Sequence, residues 1–105
     1  MRVTITARHC EISAELRARA RELMERLGKV AGRPHDGSVT FAEDHGAASA
    51  ELRLHTARGV VHVAGAVGAD HRSALDRAMA RLRRQLDKKP APARRRTVQR
   101  EPRPQ

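Results

Sequence analysis

Val3, Ile5 and Ala7 alternate with Arg2, Thr4, Thr6 and Arg8, the two-residue period of a strand covered on one face. Leu16, Ala20, Leu23, Met24 and Leu27 then recur at helical spacing behind Ser13, a good N-cap, with Gly28 near the expected end. Arg33 to Gly37 reads as a loop, and Val39 and Phe41 resume the two-residue period between Ser38, Thr40 and Ala42. A turn across Glu43 to Ala47, containing Asp44-His45-Gly46, leads into Ala50, Leu52 and Leu54, which alternate with Glu51, Arg53 and His55. Arg58-Gly59 suits a tight hairpin, after which Val61, Val63 and Gly65 are expected on the inward side. Pairing Ala57 with Val60 would set Leu54 opposite Val63 and His55 opposite His62.

The strongest pattern comes last. In Asp70 to Lys89 the residues Ala74, Leu75, Ala78, Met79, Leu82 and Leu86 form one apolar side, Asp70 is a ready N-cap, and Pro90 marks the end. The predicted order is β-α-β-β-β-α. It makes an α+β domain with a four-stranded mixed sheet and two helices on one face, the first two strands parallel through a right-handed crossover.

Charge adds a second layer. Among 105 residues, 22 bases face 12 acids for a net +10. Asp70 to Gln105 holds twelve bases and four acids, +8, while the first 69 residues carry only +2. Such polarity points to a phosphate-rich partner or an anionic membrane surface. On the second helix Arg77, Arg81, Arg84 and Lys88 stand at i, i+4, i+7 and i+11, in a stripe about 60° wide, and include like-charge i, i+4 neighbours that repel. A charge stripe alone is explained by a solvated face, but unpaired like charges call for compensation from outside. The first helix differs: Glu15 with Arg19, Glu22 with Arg26 and Glu25 with Lys29 are spaced for acid-first ion pairs.

Several chemistries lose ground on composition. One cysteine, Cys10, allows no intramolecular disulfide and fits a reducing cytosol, where it reads as a small core or edge residue. No apolar run has the length of a signal peptide core or a membrane span, so a soluble, cytoplasmic protein is expected. With no Trp or Tyr and only Phe41, the chain lacks aromatic platforms for stacking bases or anchoring in a membrane. His55 and His62, expected side by side on the open sheet face, make only half a zinc site, and no metal, cofactor or small-molecule substrate is predicted. Asp44-His45-Gly46 is turn chemistry. A small ribonuclease using His9, His55 or His62 as acid and base lacks a second paired group. A general binder or chaperone of structured RNA is the alternative that a dispersed basic surface would satisfy. After Lys89, four prolines and Arg94-Arg95-Arg96 describe a disordered basic tail over 90–105, leaving 1–89 as the one folded domain.

The order of elements carries a resemblance. Ile5 to His9, Glu11-Ile12-Ser13, Glu15-Leu16-Arg17, Glu51-Leu52 with Leu54-His55, and Asp70, Ala74 to Asp76, Arg81-Leu82, Arg84 to Leu86 and Lys88 resemble the bacterial ribosome hibernation-promoting factor and ribosome-associated inhibitor family, in its short form. The resemblance implies the same fold. It also implies binding to 16S rRNA at the decoding region of the small ribosomal subunit, translation inhibited by blocking messenger and transfer RNA, and no enzymatic activity. It assigns Arg81, Arg84 and Lys88 to rRNA contact, with Arg77 added by geometry, and places Arg8 and His9 at a matching first-strand end. Two departures stand out: Arg72 replaces an aromatic residue common after the capping Asp, and the basic tail is not a family signature. Longer members carry a C-terminal dimerisation domain for which 105 residues leave no room, so a monomer off the ribosome is expected.

Overall fold

The computed structural model describes residues 1–87. Lys88 and the predicted tail lie outside the described residues. Strand β1 (Arg2–Arg8) is followed by helix α1 (Ala14–Ala31), strands β2 (Pro34–Asp44), β3 (Ala47–Thr56) and β4 (Val61–Gly68), and helix α2 (His71–Asp87). The sheet runs β1-β2-β3-β4, with β1 parallel to β2 and both hairpins antiparallel. Both helices lie on one face, over a core that includes Val39, Phe41, Leu52, Leu54, Leu75 and Leu82. The predicted fold is the one observed.

Local chemistry sets the helix ends. The Ser13 hydroxyl accepts the Leu16 amide at 3.0 Å, and the Asp70 carboxylate accepts the Ser73 amide at 2.7 Å. That hydrogen bond, with the Ser73 hydroxyl and the nearby Arg72 charge as smaller contributors, holds the Asp70 carboxyl below its ordinary 3.8. Helix α1 runs past Gly28 to Ala31, where Gly32, at φ 74°, takes the turn that a β-carbon would oppose. All six apolar residues expected inside α2 are buried. Cys10 is half-buried against the core.

Three boundaries differ from the sequence reading. Strand β2 begins at Pro34, inside the expected loop, with a register shift between Pro34 and Asp36. The β2–β3 turn shrinks to His45-Gly46, both with positive φ (54° and 78°), the geometry of a two-residue hairpin. The largest correction concerns β4. A single 3-10 turn, Ala57–Gly59, replaces the tight hairpin, Thr56 donates its amide to the Val60 carbonyl at 2.9 Å, and the register becomes His55 with Val61 and Leu54 with His62. One residue of slip turns the strand over. Ala64 and Ala66 are buried under α2, while Val61, Val63 and Val67 stand exposed on the open face. At the end of the strand α2 comes very close: a β-carbon on Gly68 would lie 2.7 Å from the Ala74 amide nitrogen. Where the helix lies over the strand, β4 carries the small side chains of Ala64 and Ala66. His55 and His62 consequently occupy opposite faces, and the expected side-by-side pair does not form.

Candidate nucleic-acid interface

An edge strand exposes backbone groups that invite pairing with another chain. Here both edges are closed by side chains from the overlying helices. On β4, Arg77 Nη1 donates to the Val67 carbonyl at 3.1 Å, Arg81 Nη1 to Gly65 at 2.6 Å and Gln85 Nε2 to Val63 at 2.7 Å. On β1, Arg21 Nη1 donates to Val3 at 2.9 Å and Arg17 Nη1 to Ile5 at 3.2 Å. The repeat has a geometric origin. Four helical residues rise about 6 Å, close to the roughly 6.7 Å between alternate strand residues. Side chains at i, i+4 and i+8 therefore meet successive edge carbonyls without strain.

The guanidinium groups differ in what balances them. Arg19 pairs with Asp76 at 3.1 Å, Arg26 with Glu22 at 2.9 Å, Arg83 with Asp87 at 3.4 Å, and Arg72 reaches Asp76 at 4.0 Å. Arg77, Arg81 and Arg84 are all exposed and make no ion pair among the described residues. A guanidinium carries five donors, so Arg77 and Arg81 each spend one on the strand and turn the rest of the fork outward. Backbone anchoring also fixes these side chains before any ligand arrives, which reduces the entropy lost on binding.

The sequence-predicted site residues are thus divided. Arg77, Arg81 and Arg84 share the β4 side of α2. Arg8 and His9 are exposed at the end of β1, across the sheet, with His9 in the left-handed region at φ 61°. Arg17 and Arg21 form a second like-charge i, i+4 pair, the same signal that singles out α2. Of the expected α1 ion pairs only Glu22 with Arg26 forms; Arg19 turns from Glu15 to Asp76 and ties the two helices together. The position of the expected aromatic is served by the neighbouring residue: the His71 ring meets Phe41 edge-on at 5.9 Å, and its Nε2 lies 3.0 Å from the Ala42 carbonyl oxygen. No group of three potential metal ligands occurs among the described residues, nor any helix long and apolar enough to cross a membrane.

Fold and charge together define a small, basic β-α-β-β-β-α domain. The model of the sigma 54 modulation protein / S30EA ribosomal protein family matches residues 3–91, and the chain belongs to that family of ribosome-associated, non-enzymatic factors. The ribonuclease reading falls with that membership. No curated protein matches the sequence significantly. Among solved structures, a ribosomal subunit interface protein from Coxiella burnetii superposes with a TM-score of 0.73 at 20% identity, over 84% of this chain and 96% of that one. The N-terminal domain of Thermus thermophilus Protein Y gives a TM-score of 0.70 at 24% identity, over 82% and 96%. At these identities the likeness is one of fold.

Proposed function

We propose that the domain docks on the small ribosomal subunit at the decoding region, in the cytoplasm, and idles the ribosome by occupying the path of messenger and transfer RNA. The observation that carries this is the row Arg77, Arg81 and Arg84, exposed and unmatched by a carboxylate among the described residues, while the other arginines of α2 have one. A row of which Arg77 and Arg81 are anchored along a strand edge presents repeated forks to a phosphate backbone, which is read through charge and shape. Family membership and the subunit-interface protein of like fold support a ribosomal partner. Lys88 extends the row in sequence, and Arg8 with His9 offers a second contact from the other side of the sheet.

Binding to isolated small subunits, followed by sedimentation across a salt series, tests the reading. If Arg77, Arg81, Arg84 and Lys88 each neutralise one phosphate, log affinity falls against log salt with a slope of about −3 to −4. Reversal of Arg81 and Arg84 to Glu releases the protein at moderate salt, and transfer RNA displaces the unaltered chain. Retention of the reversed protein, or displacement by any duplex RNA as readily as by transfer RNA, refutes decoding-site binding; the second outcome defines a general RNA binder.

A further inference from the structure

Gly65 is a residue the fold does not require. It lies in the interior of β4, where glycine is less favourable than alanine, and it does not have a positive φ. A β-carbon built there meets only the Ala50 carbonyl oxygen, at 3.6 Å, an ordinary contact. The contrast with Gly68, where a β-carbon would collide with the start of α2, is plain. A strand glycine without a packing reason marks a place where something else approaches the backbone.

The surroundings specify what approaches. Gly65 leaves a gap on the open face between Val63 and Val67, which are 39% and 56% exposed. The gap belongs to a shallow cleft of about 420 Å³ bordered by Ser49, Glu51, Val67 and Arg81. Glu51 is the cross-strand partner of Gly65, is exposed, and makes no ion pair among the described residues. Arg81 is fixed at the rim by its 2.6 Å bond to the Gly65 carbonyl, with its remaining donors outward. A carboxylate, an apolar side chain and a guanidinium line one cleft and form a complementary set. It fits a planar group carrying adjacent donors and joined to a phosphate.

From this geometry we infer that the Gly65 cleft is a nucleotide subsite selective for an unpaired guanine, with the base over Gly65 and beside Val67, its N1–H and N2–H donating to the Glu51 carboxylate, and its phosphate on Arg81. The inference rests on the RNA-binding reading above and adds base selection to it. Guanine is the base whose Watson–Crick edge presents two neighbouring donors to a carboxylate; adenine and uracil set acceptors beside their donors, and cytosine offers only its amino group. With no aromatic side chain available for stacking, the base is recognised by hydrogen bonds and the glycine gap.

Full-length protein is titrated at low salt, by fluorescence anisotropy, against heptanucleotide RNAs carrying one central guanine, adenine, cytosine or uracil in a uridine background. The guanine heptamer is expected to bind about tenfold more tightly than the others, the scale of a good bidentate contact. Glu51→Gln, which removes the charge and one acceptor, cuts that preference to about twofold or threefold. Gly65→Val fills the gap and abolishes the preference, while its melting temperature stays level or rises and its binding to small subunits through the arginine row persists in weakened form. Equal affinity for all four heptamers, no binding of the guanine heptamer, or a preference that survives Gly65→Val overturns the subsite. If small subunits are still bound in those cases, the proposed function stands without it; if small subunits are not bound by the unaltered protein, it is the proposed function that fails.

Discussion

The two edges of the sheet use one device for different ends. At β1 and at β4 alike, arginines one helical turn apart hold successive strand carbonyls, and on both sides this blocks the pairing that an open edge invites. At β1 the helical row stops there, because the next position after Arg17 and Arg21 is Glu25. At β4 the corresponding position is Gln85, but the stripe of charge continues beside it through Arg84, and in sequence to Lys88. Edge closure therefore accounts for arginine at four positions, but it leaves the extra charge on α2 unexplained. Gln85 makes the point within one helix: a neutral amide holds the Val63 carbonyl at 2.7 Å. Guanidinium is not needed to close an edge, and what sets the β4 side apart is Arg84, which closes no edge carbonyl among the described residues.

The contrast extends to packing, and this gives the largest expected effect. Leu82 of α2 is fully buried, whereas Leu23 of α1 is only partly so. Leu82→Ala should cost about 2–5 kcal/mol, and Leu23→Ala clearly less, both read from urea unfolding. Equal losses would show that the two helices contribute alike to the core.

Next comes the charge itself. Replacing Arg77, Arg81 and Arg84 together by Gln keeps an amide within reach of the edge carbonyls while removing three charges. Small-subunit affinity near physiological salt should fall by about two orders of magnitude, and the salt slope should flatten by about 2 to 3. The Arg17→Gln, Arg21→Gln pair should lower affinity by less than about fivefold. A loss as large from the β1 pair would make the whole periphery, and not the α2 row, the interface.

The caps divide the helices by pH. Ser13→Ala should destabilise by about 1 kcal/mol, equally across the acid range, since a hydroxyl does not titrate there. Asp70 behaves otherwise. Its carboxyl is lowered in the folded state, chiefly by the Ser73 amide, so the stability it adds is fully present above the ordinary 3.8 and drains away as pH falls through the lower folded value. Thermal melts from neutral to strongly acid pH should show that acid-side loss in the unaltered chain, and Asp70→Asn should remove it. The smallest effect belongs to the exposed Glu22–Arg26 pair of α1: a double-mutant cycle should return no more than about 0.5 kcal/mol.

Sequence alone determined a good deal. Element order, the six buried residues of α2, both N-caps and the inward residues of β1 to β3 followed from periodicity and capping chemistry, because these are local rules acting within a few residues. The like charges Arg77, Arg81 and Arg84 were visible for the same reason, and Arg17 with Arg21 could have been found by the same test. Only the tertiary structure decided the face of β4 and the partners of its neighbours. Val61, Val63 and Val67 alternate as persuasively as any core strand, yet the 3-10 turn adds one residue to the loop and α2 packs closely over Ala64, Ala66 and Gly68 instead. That closeness belongs to two elements, not to either pattern. It also brings the arginines onto edge carbonyls ten and sixteen residues distant, and sets Glu51, Gly65 and Arg81 around one cleft.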